Sequence, residues 1–149
     1  TMFNARSEGL AKSRAFRDAF ERRRCVVLAS GYYEWVTVNG VKIPNYIAPA
    51  DDPGFAFAGL WDRWVGADGS EVETCCVITT AANTLLAPIH DRMPVVIPAG
   101  LEDAWLEPGD QVHRRNLQPM MDPGSPEGWS RIRLGQPLMS GGDQQLSLL

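Results

Sequence analysis

Residues 32–47, YYEWVTVNGVKIPNYI, hold two strand-like runs on either side of Asn39 and Gly40. β-Branched and aromatic residues, which favour strands, are frequent in both runs. Asn-Gly is the dipeptide that most strongly favours a two-residue hairpin turn, because both of its residues readily adopt positive φ. The stretch therefore predicts an antiparallel hairpin as the central unit of the fold.

Other strands and short helices are predicted on both sides of this hairpin. Residues 55–65 and 71–80 form a second predicted hairpin, with the turn GADGS between them. The remaining predicted elements are a helix with its N-cap at Ser13, a short buried strand at 25–29, a helical turn at 81–88, a core strand within 88–98 and a short helix at 100–106. Together they indicate one α+β domain that is mainly antiparallel, curled or barrel-like, with peripheral helices.

Composition excludes several classes of protein. The chain has 149 residues, of which 44% are hydrophobic and 21% charged, as is typical of one globular domain. No run approaches the roughly 18 apolar residues of a membrane span, so we expect no membrane association. Three cysteines are an odd number, and all lie in apolar runs, which favours reduced thiols in the cytoplasm. With two histidines and no zinc-type cysteine spacing, we expect no bound metal. We also expect no cofactor and a monomeric protein.

Positive charge is concentrated at the start of the chain. The net charge is −4, yet residues 1–24 contain seven basic residues against three acids, a local charge of +4 that leaves −8 for the rest. The basic residues are Arg6, Lys12, Arg14, Arg17, Arg22, Arg23 and Arg24. A basic end on an acidic body can bind phosphate. A solvated helix face explains the same charge, and both interpretations stay open.

The first polar stretch with chemical potential is NARSE, at residues 4–8. Asn4 and Arg6 alternate, so in an extended segment they point to the same side. The alternative is a loop that caps the following helix.

The second stretch is GYYEW, at residues 31–35. Tyr33 and Trp35 share one face of the predicted strand, and Tyr32 and Glu34 share the other. Partial burial among aromatic rings raises the pKa of a glutamate toward the range useful for proton transfer near neutrality. The alternative is an exposed Glu34 on the wet face of the hairpin.

Two further stretches combine charged side chains with apolar neighbours. GLWDRW, at 59–64, holds Arg63 between two tryptophans and is either a stacking platform for single strands or core and rim packing. PIHDRMPVVIP, at 88–98, places His90 and Arg92 against a core strand. Histidine exchanges protons at physiological pH, and arginine is suited to phosphate. The alternative for His90 is a structural role.

No nucleophile is evident in the chain. The three cysteines lie in apolar runs, where burial suppresses thiol reactivity, and no GxSxG motif is present.

Five segments together resemble one known family. NARSE, RCVVLASGYYEW, AGLW, ITTAAN and IHDRMPVVI occur in the order and rough spacing of the SOS-response-associated peptidase (SRAP) family, over about residues 3–106. The resemblance implies a curled mixed β-barrel with surrounding helices. It also implies binding of single-stranded DNA that contains abasic sites, in the cytoplasm and at the nucleoid. In this family the α-amine and thiol of an N-terminal cysteine close a stable thiazolidine with the sugar aldehyde.

The resemblance also implies catalytic roles for three residues. Asn4 orients the N-terminal amine, and Glu34 is the general acid/base that opens the sugar and forms the imine. His90 shuttles protons and assists reversal of the link.

Three more residues are implied in DNA binding. Arg6 holds a phosphate near the lesion, Arg92 makes a further DNA contact, and Trp35 binds the DNA strand. Asp91 is expected to orient or support its neighbours.

The chain departs from the family at both ends. The Met-Cys-Gly-Arg opening is absent from TMFNARSE, so we expect a single domain over residues 1–149 that lacks the family's N-terminal segment and its nucleophile. Residues 110–149 are weakly patterned. The alternatives are a noncovalent single-stranded-DNA-binding module, an inactive fragment, or a peptidase acting on other proteins. The last of these needs a nucleophile that the sequence does not show, so self-removal of the initiator methionine is the only proteolysis expected of a complete member.

Overall fold

The computed structural model describes residues 4–51, 54–108 and 116–135. It contains eight strands, two short α-helices and two 3-10 helices in these ranges. The strands are β1 (Asn4–Arg6), β2 (Arg24–Ala29), β3 (Tyr32–Val38), β4 (Val41–Pro49), β5 (Phe55–Val65), β6 (Glu71–Ala81), β7 (Arg92–Pro94) and β8 (Trp129–Arg133). The helices are α1 (Arg17–Arg22), α2 (Glu102–Leu106) and the 3-10 helices Ser7–Gly9 and Gln118–Met121.

The described strands form two sheets. The larger has the order β1-β6-β5-β2, with β7 also paired to β6, and the smaller has the order β3-β4-β8. All pairs are antiparallel except β1–β6, which is parallel. The predicted α+β class with a mainly antiparallel, mixed sheet is therefore confirmed. The two sheets are open, so the described strands do not close into a barrel.

The two predicted hairpins are present at the predicted positions. In the first, Val38 pairs with Val41 around Asn39 and Gly40, whose φ angles of 51° and 81° are those of a primed two-residue turn. The second runs through β5 and β6, and β6 extends one residue beyond its prediction, to Ala81. These local signals were sufficient because turn chemistry sets the register of a hairpin.

Three other predictions need correction. Helix α1 begins at Arg17, and Ser13 does not cap it; instead the Ser13 carbonyl accepts from the N–H of Arg17 at 2.9 Å. Strand β2 is not fully buried, since Leu28 is 77% exposed. Only Arg92–Pro94 of the predicted core strand pairs regularly, because proline cannot donate to a ladder.

The weakly patterned C-terminal region contributes a strand that was not predicted. β8 pairs with β4 from Asn45↔Arg133 to Pro49↔Trp129. Leu117, upstream of β8, is buried at 1% exposure. Residues 109–115 and 136–149, which include His113 and much of the weakly patterned region, lie outside the described residues.

Two apolar clusters hold the fold together. The first cluster packs α1, α2 and the Gln118–Met121 segment against one face of the larger sheet. Its buried members are Ala5, Leu10, Ala19, Phe20, Ala56, Ala58, Leu60, Cys76, Ile78, Val95, Ile97, Trp105, Leu117 and Met121. The second cluster lies where the smaller sheet meets the residues between β6 and β7. Its buried members are Ile47, Leu86 and Met93, and the partly buried residues packed against them are Tyr32, Ala82, Leu85, Ile89 and Trp129.

Candidate active site

Strand β1 places Asn4 and Arg6 on one exposed side of the larger sheet. Ala5, between them, is 1% exposed and packs in the first cluster. Asn4 lies opposite Val77 of β6, and Arg6 lies opposite Thr79. The prediction that Asn4 and Arg6 share a side is confirmed, since alternate residues of a strand point the same way. The alternative, a loop that caps α1, is wrong.

His90 follows a turn, and hydrogen bonds fix both its backbone and its imidazole ring. The N–H groups of Ile89 and His90 donate to the Leu86 carbonyl oxygen, at 2.8 and 3.0 Å. On the other side, the backbone N–H of Arg92 donates to Nδ1 of His90 at 2.9 Å. Nδ1 also lies 3.3 Å from Oδ1 of Asp91, and the His90 side chain is 41% exposed. The ring therefore has a defined orientation and is accessible to solvent.

Glu8 engages the guanidinium of Arg92 in a two-pronged ion pair. Nη1 and Nη2 of Arg92 donate to the two carboxylate oxygens at 2.6 and 3.0 Å, and Nη2 also donates to the Thr79 carbonyl oxygen at 2.6 Å. The Arg92 hydrogen bonds are the main reason that the pKa of Glu8 is lowered to about 2. The Arg92 side chain is 16% exposed. A DNA phosphate would have to compete with Glu8, so the Arg92 contact stays a prediction.

Glu34 lies on β3 directly opposite Asn45 of β4. Its side chain is half-buried, as expected, and Oε1 accepts a 3.3 Å hydrogen bond from the backbone N–H of Trp35. Tyr32 shares the Glu34 face, while the rings of Tyr33 and Trp35 lie 6.1 Å apart on the other face. Burial and, second, the charge of Glu34 raise the pKa of the Tyr32 phenol. The acid/base role of Glu34 stays a prediction.

The second cluster joins the strand that carries Glu34 to the turn that carries His90. Met93 is buried in this cluster, with Tyr32 and Ile89 packed against it. Tyr32 is two positions from Glu34, and Ile89 directly precedes His90. Two stretches that are far apart in sequence are thus anchored to one apolar cluster, and the Glu8–Arg92 pair connects the same turn to the end of β1.

Three polar residues at this site were not predicted as functional. Glu8 and Thr79 both bind the Arg92 guanidinium, yet Glu8 is 84 positions from it, so no local pattern could pair them. Asn45 is 2% exposed, and its Nδ2 donates to the Ile43 carbonyl oxygen at 3.3 Å. A single amide inside the strand-like run VKIPNYI was the available signal for Asn45.

The basic segment is less available for phosphate than its charge indicates. Arg22 and Arg23 both pair with Asp18, at 3.5 and 2.5 Å, and Arg23 also lies 3.4 Å from Asp62. Arg24 is buried at 7% exposure, with its guanidinium directed to backbone carbonyls. Three of the seven basic residues are thus paired or buried, which weakens the phosphate-binding interpretation of this segment.

The tryptophans of GLWDRW are not core residues. Trp61 and Trp64 are 37% and 61% exposed, so the core part of the packing interpretation is wrong and both rings lie at the rim. Arg63 pairs with Glu71, which neutralises the cation that a phosphate platform needs. Trp35, on the other sheet, is 47% exposed and accessible to a base, and its DNA contact stays a prediction.

The three cysteines of the described chain are free and differ in burial. Burial and, second, the neighbouring Cys75 and Cys76 raise the pKa of Cys25 to about 11. Burial likewise raises the pKa of Cys76. Cys75 is exposed, which corrects its placement in a buried run. Elevated pKa values leave Cys25 and Cys76 protonated and weakly nucleophilic near neutral pH.

Residues 4–51, 54–108 and 116–135 hold neither a metal-binding cluster nor a membrane-spanning helix. Among those residues, no group of three or more His, Cys, Asp or Glu side chains could hold a metal ion. No helix there has the length and apolar character needed to cross a bilayer.

The chain is similar to known proteins in sequence and in structure. Two Bacillus subtilis proteins, the abasic site processing proteins YoqW and YoaM, are 41% and 40% identical to it over 108 residues. Each alignment covers 72% of this chain and 48% of the relative, so the chain spans about half the length of these curated relatives. A crystal structure of a protein from Bacteroides thetaiotaomicron matches with a TM-score of 0.81 and 32% identity, over 88% of this chain and 57% of that one.

The family comparison covers more of the chain than these pairwise alignments do. Residues 1–135 match the family model described as SOS response associated peptidase (SRAP). The five segments that carried the resemblance all lie inside the matched range. The chain therefore belongs to the SOS response associated peptidase family.

Proposed function

We propose that this chain is part of an abasic-site processing protein that binds single-stranded DNA and supplies the acid/base groups for a covalent link to the lesion. The observation that carries the proposal is the anchoring of the Glu34 strand and the His90 turn to the second cluster. Asn4 and Arg6, on the exposed side of β1, supply an amide and a cation. The names of the Bacillus relatives support the choice of substrate.

The reacting group in this proposal is the N-terminal cysteine of a complete family member. Its α-amine attacks the C1′ aldehyde of the abasic sugar, water leaves, and an imine forms. The thiol then adds to the imine carbon and closes a thiazolidine. Glu34, whose side chain is half-buried, donates the proton that lets the hydroxyl of the carbinolamine leave as water. Asn4 orients the amine, and His90 returns protons when the link reverses.

The decisive experiment uses the protein as it is naturally made, with its native N-terminus identified by intact mass. It is mixed with single-stranded DNA that carries one abasic site, or with the same strand carrying thymidine. We expect a species that resists boiling in denaturant and forms only with the abasic strand. Replacing the N-terminal cysteine with alanine is the matched control and should abolish it. A protein that binds both strands but never forms this species would exclude the covalent function.

A noncovalent single-stranded-DNA-binding module is the second candidate. It is favoured by the raised pKa values of the Cys25 thiol, to about 11, and of the Cys76 thiol, which leave these two groups protonated near neutral pH. In that case Arg6 and the exposed Trp35 hold DNA without chemistry.

Arg6→Ala is expected to weaken binding of single-stranded DNA and to flatten its dependence on salt. Each phosphate contact that is lost lowers the slope of log K against log salt by roughly one. Affinity is measured by fluorescence anisotropy at four or more salt concentrations. Arg63→Ala is the matched control, because Arg63 is already paired with Glu71. An Arg6→Ala slope equal to that of the parent would contradict the phosphate contact.

A further inference from the structure

The smaller sheet carries a row of polar side chains across its three strands. Glu34 of β3 lies opposite Asn45 of β4, which in turn lies opposite Arg133 of β8. Residues that are directly paired on neighbouring strands share one face of a sheet. Glu34 and Arg133 are therefore on the same face, about 10 Å apart across two strand spacings.

This face of the smaller sheet meets the turn that carries His90. Tyr32 of β3 pairs with Ile47 of β4, and Ile47 pairs with Arg131 of β8, so these three residues lie on the same face as well. Tyr32 and Ile47 belong to the second cluster. Nη1 of Arg131 donates to the Leu85 carbonyl oxygen at 3.2 Å. Arg131 thus holds β8 against the residues that precede His90.

Arg133 is a cation without a partner in the part of the chain that the structure describes. Its side chain is exposed, and no hydrogen bond or ion pair engages its guanidinium there. By contrast, Arg63 and Arg92 each pair with a carboxylate. The backbone beside Arg133 is fixed, because the N–H of Leu134 donates to the Pro44 carbonyl oxygen at 3.0 Å. A positioned and unpaired guanidinium is available to an external anion.

Asn45, between Glu34 and Arg133, is a second polar group with unused hydrogen-bonding capacity. It is 2% exposed, and its Nδ2 donates to the Ile43 carbonyl oxygen at 3.3 Å. Its side chain makes no other hydrogen bond with the described residues, although a carboxamide has two N–H donors and an oxygen acceptor. Because buried polar groups are normally paired, this amide favours a polar ligand beside it.

We propose that Arg133 is a further DNA-binding residue, which holds a phosphate flanking the lesion when the abasic sugar lies at Glu34. The inference rests on the proposed function, because Glu34 is what places the lesion. Arginine suits this role, since its guanidinium donates two parallel hydrogen bonds to a phosphate. The DNA strand then crosses the smaller sheet from β3 toward β8, and Arg131 keeps β8 in place beside the His90 turn.

The test compares Arg133→Ala with the parent protein in its natural full length. Arg63→Ala is the matched control, because it removes an exposed arginine whose charge Glu71 already neutralises. Arg133→Lys is the second variant, since lysine retains the charge but not the two-pronged geometry. The single-stranded DNA carries one tetrahydrofuran residue, an abasic analogue without the aldehyde, so that binding is measured without the covalent step.

The first measurement is affinity by fluorescence anisotropy at four or more salt concentrations. We expect Arg133→Ala to bind about tenfold more weakly than the parent, because a charge-assisted contact is lost. Its slope of log K against log salt should fall by roughly 0.7, the value for one phosphate of a single strand. Arg133→Lys should keep most of the slope, and Arg63→Ala should match the parent. An unchanged slope in Arg133→Ala, or an equal fall in Arg63→Ala, would overturn the contact.

The second measurement locates the phosphate. Each phosphate near the lesion is replaced in turn by a neutral methylphosphonate. We expect one flanking replacement to weaken binding by the parent and to have no further effect on Arg133→Ala, because both changes remove the same contact. Replacements that weaken both proteins equally at every position would contradict the inference. If the natural protein forms no adduct with a true abasic site, the covalent function fails, and these binding measurements still decide the role of Arg133.

Discussion

Glu34→Gln in the natural full-length protein is expected to slow formation of the abasic-site adduct about a hundredfold or more, since general acid/base catalysis contributes factors of roughly 10² to 10⁴. Affinity for single-stranded DNA should change less than about twofold. Glutamine preserves the shape of Glu34 and the hydrogen bond that its oxygen accepts from the Trp35 N–H. Glutamine cannot exchange a proton, so the rate of the chemical step falls while DNA binding is retained.

The rate is measured in a single turnover by the appearance of a denaturation-resistant band, and affinity by anisotropy with an intact strand. Glu73→Gln, on an exposed stretch of β6, is the matched control and should keep the parent rate. Equal rates for Glu34→Gln and the parent would remove Glu34 from the chemistry and leave the noncovalent module as the better account.

Arg24→Met is expected to lower the free energy of unfolding by about 3 kcal/mol, because it strips charged donors from buried carbonyls. Arg24 donates to the carbonyl oxygens of Trp105 and Phe20, each at 2.5 Å, and also to that of Glu107. Its guanidinium lies 5.7 Å from the centre of the Trp105 ring. Arg24, the first residue of β2, therefore connects α1 and α2.

Urea denaturation monitored by tryptophan fluorescence measures this loss as a lower midpoint at an unchanged m-value. Arg22→Met is the matched control, because Arg22 is 74% exposed and its ion pair with Asp18 is on the surface. The control should change stability by less than about 0.5 kcal/mol. Similar losses for the two variants would show that water replaces the Arg24 hydrogen bonds.

Local signals in the sequence were sufficient for the hairpins and for the composition of the candidate site. Asn39-Gly40 specified the turn between β3 and β4 because few other dipeptides tolerate positive φ at both positions. Alternation in NARSE placed Asn4 and Arg6 on one side, because a strand repeats every two residues. The five family segments identified the family before any fold was known.

Weaker local signals failed where tertiary contacts decide the outcome. Ser13 has the chemistry of an N-cap, yet the helix begins four residues later, because short helices depend on packing more than on capping. Strand β8 lies in a segment without clear alternation and forms because β4 offers it an edge.

The sequence by itself determined the family, the sheet-rich class and the residue types at the site, since these depend on turn chemistry, alternation and order along the chain. Only the tertiary structure decided which charges are available. It buried Arg24, paired Arg92 with Glu8 and anchored Glu34 and His90 to one cluster. Such pairings join residues up to 84 positions apart, and their energies come from desolvation and geometry, which no local pattern encodes.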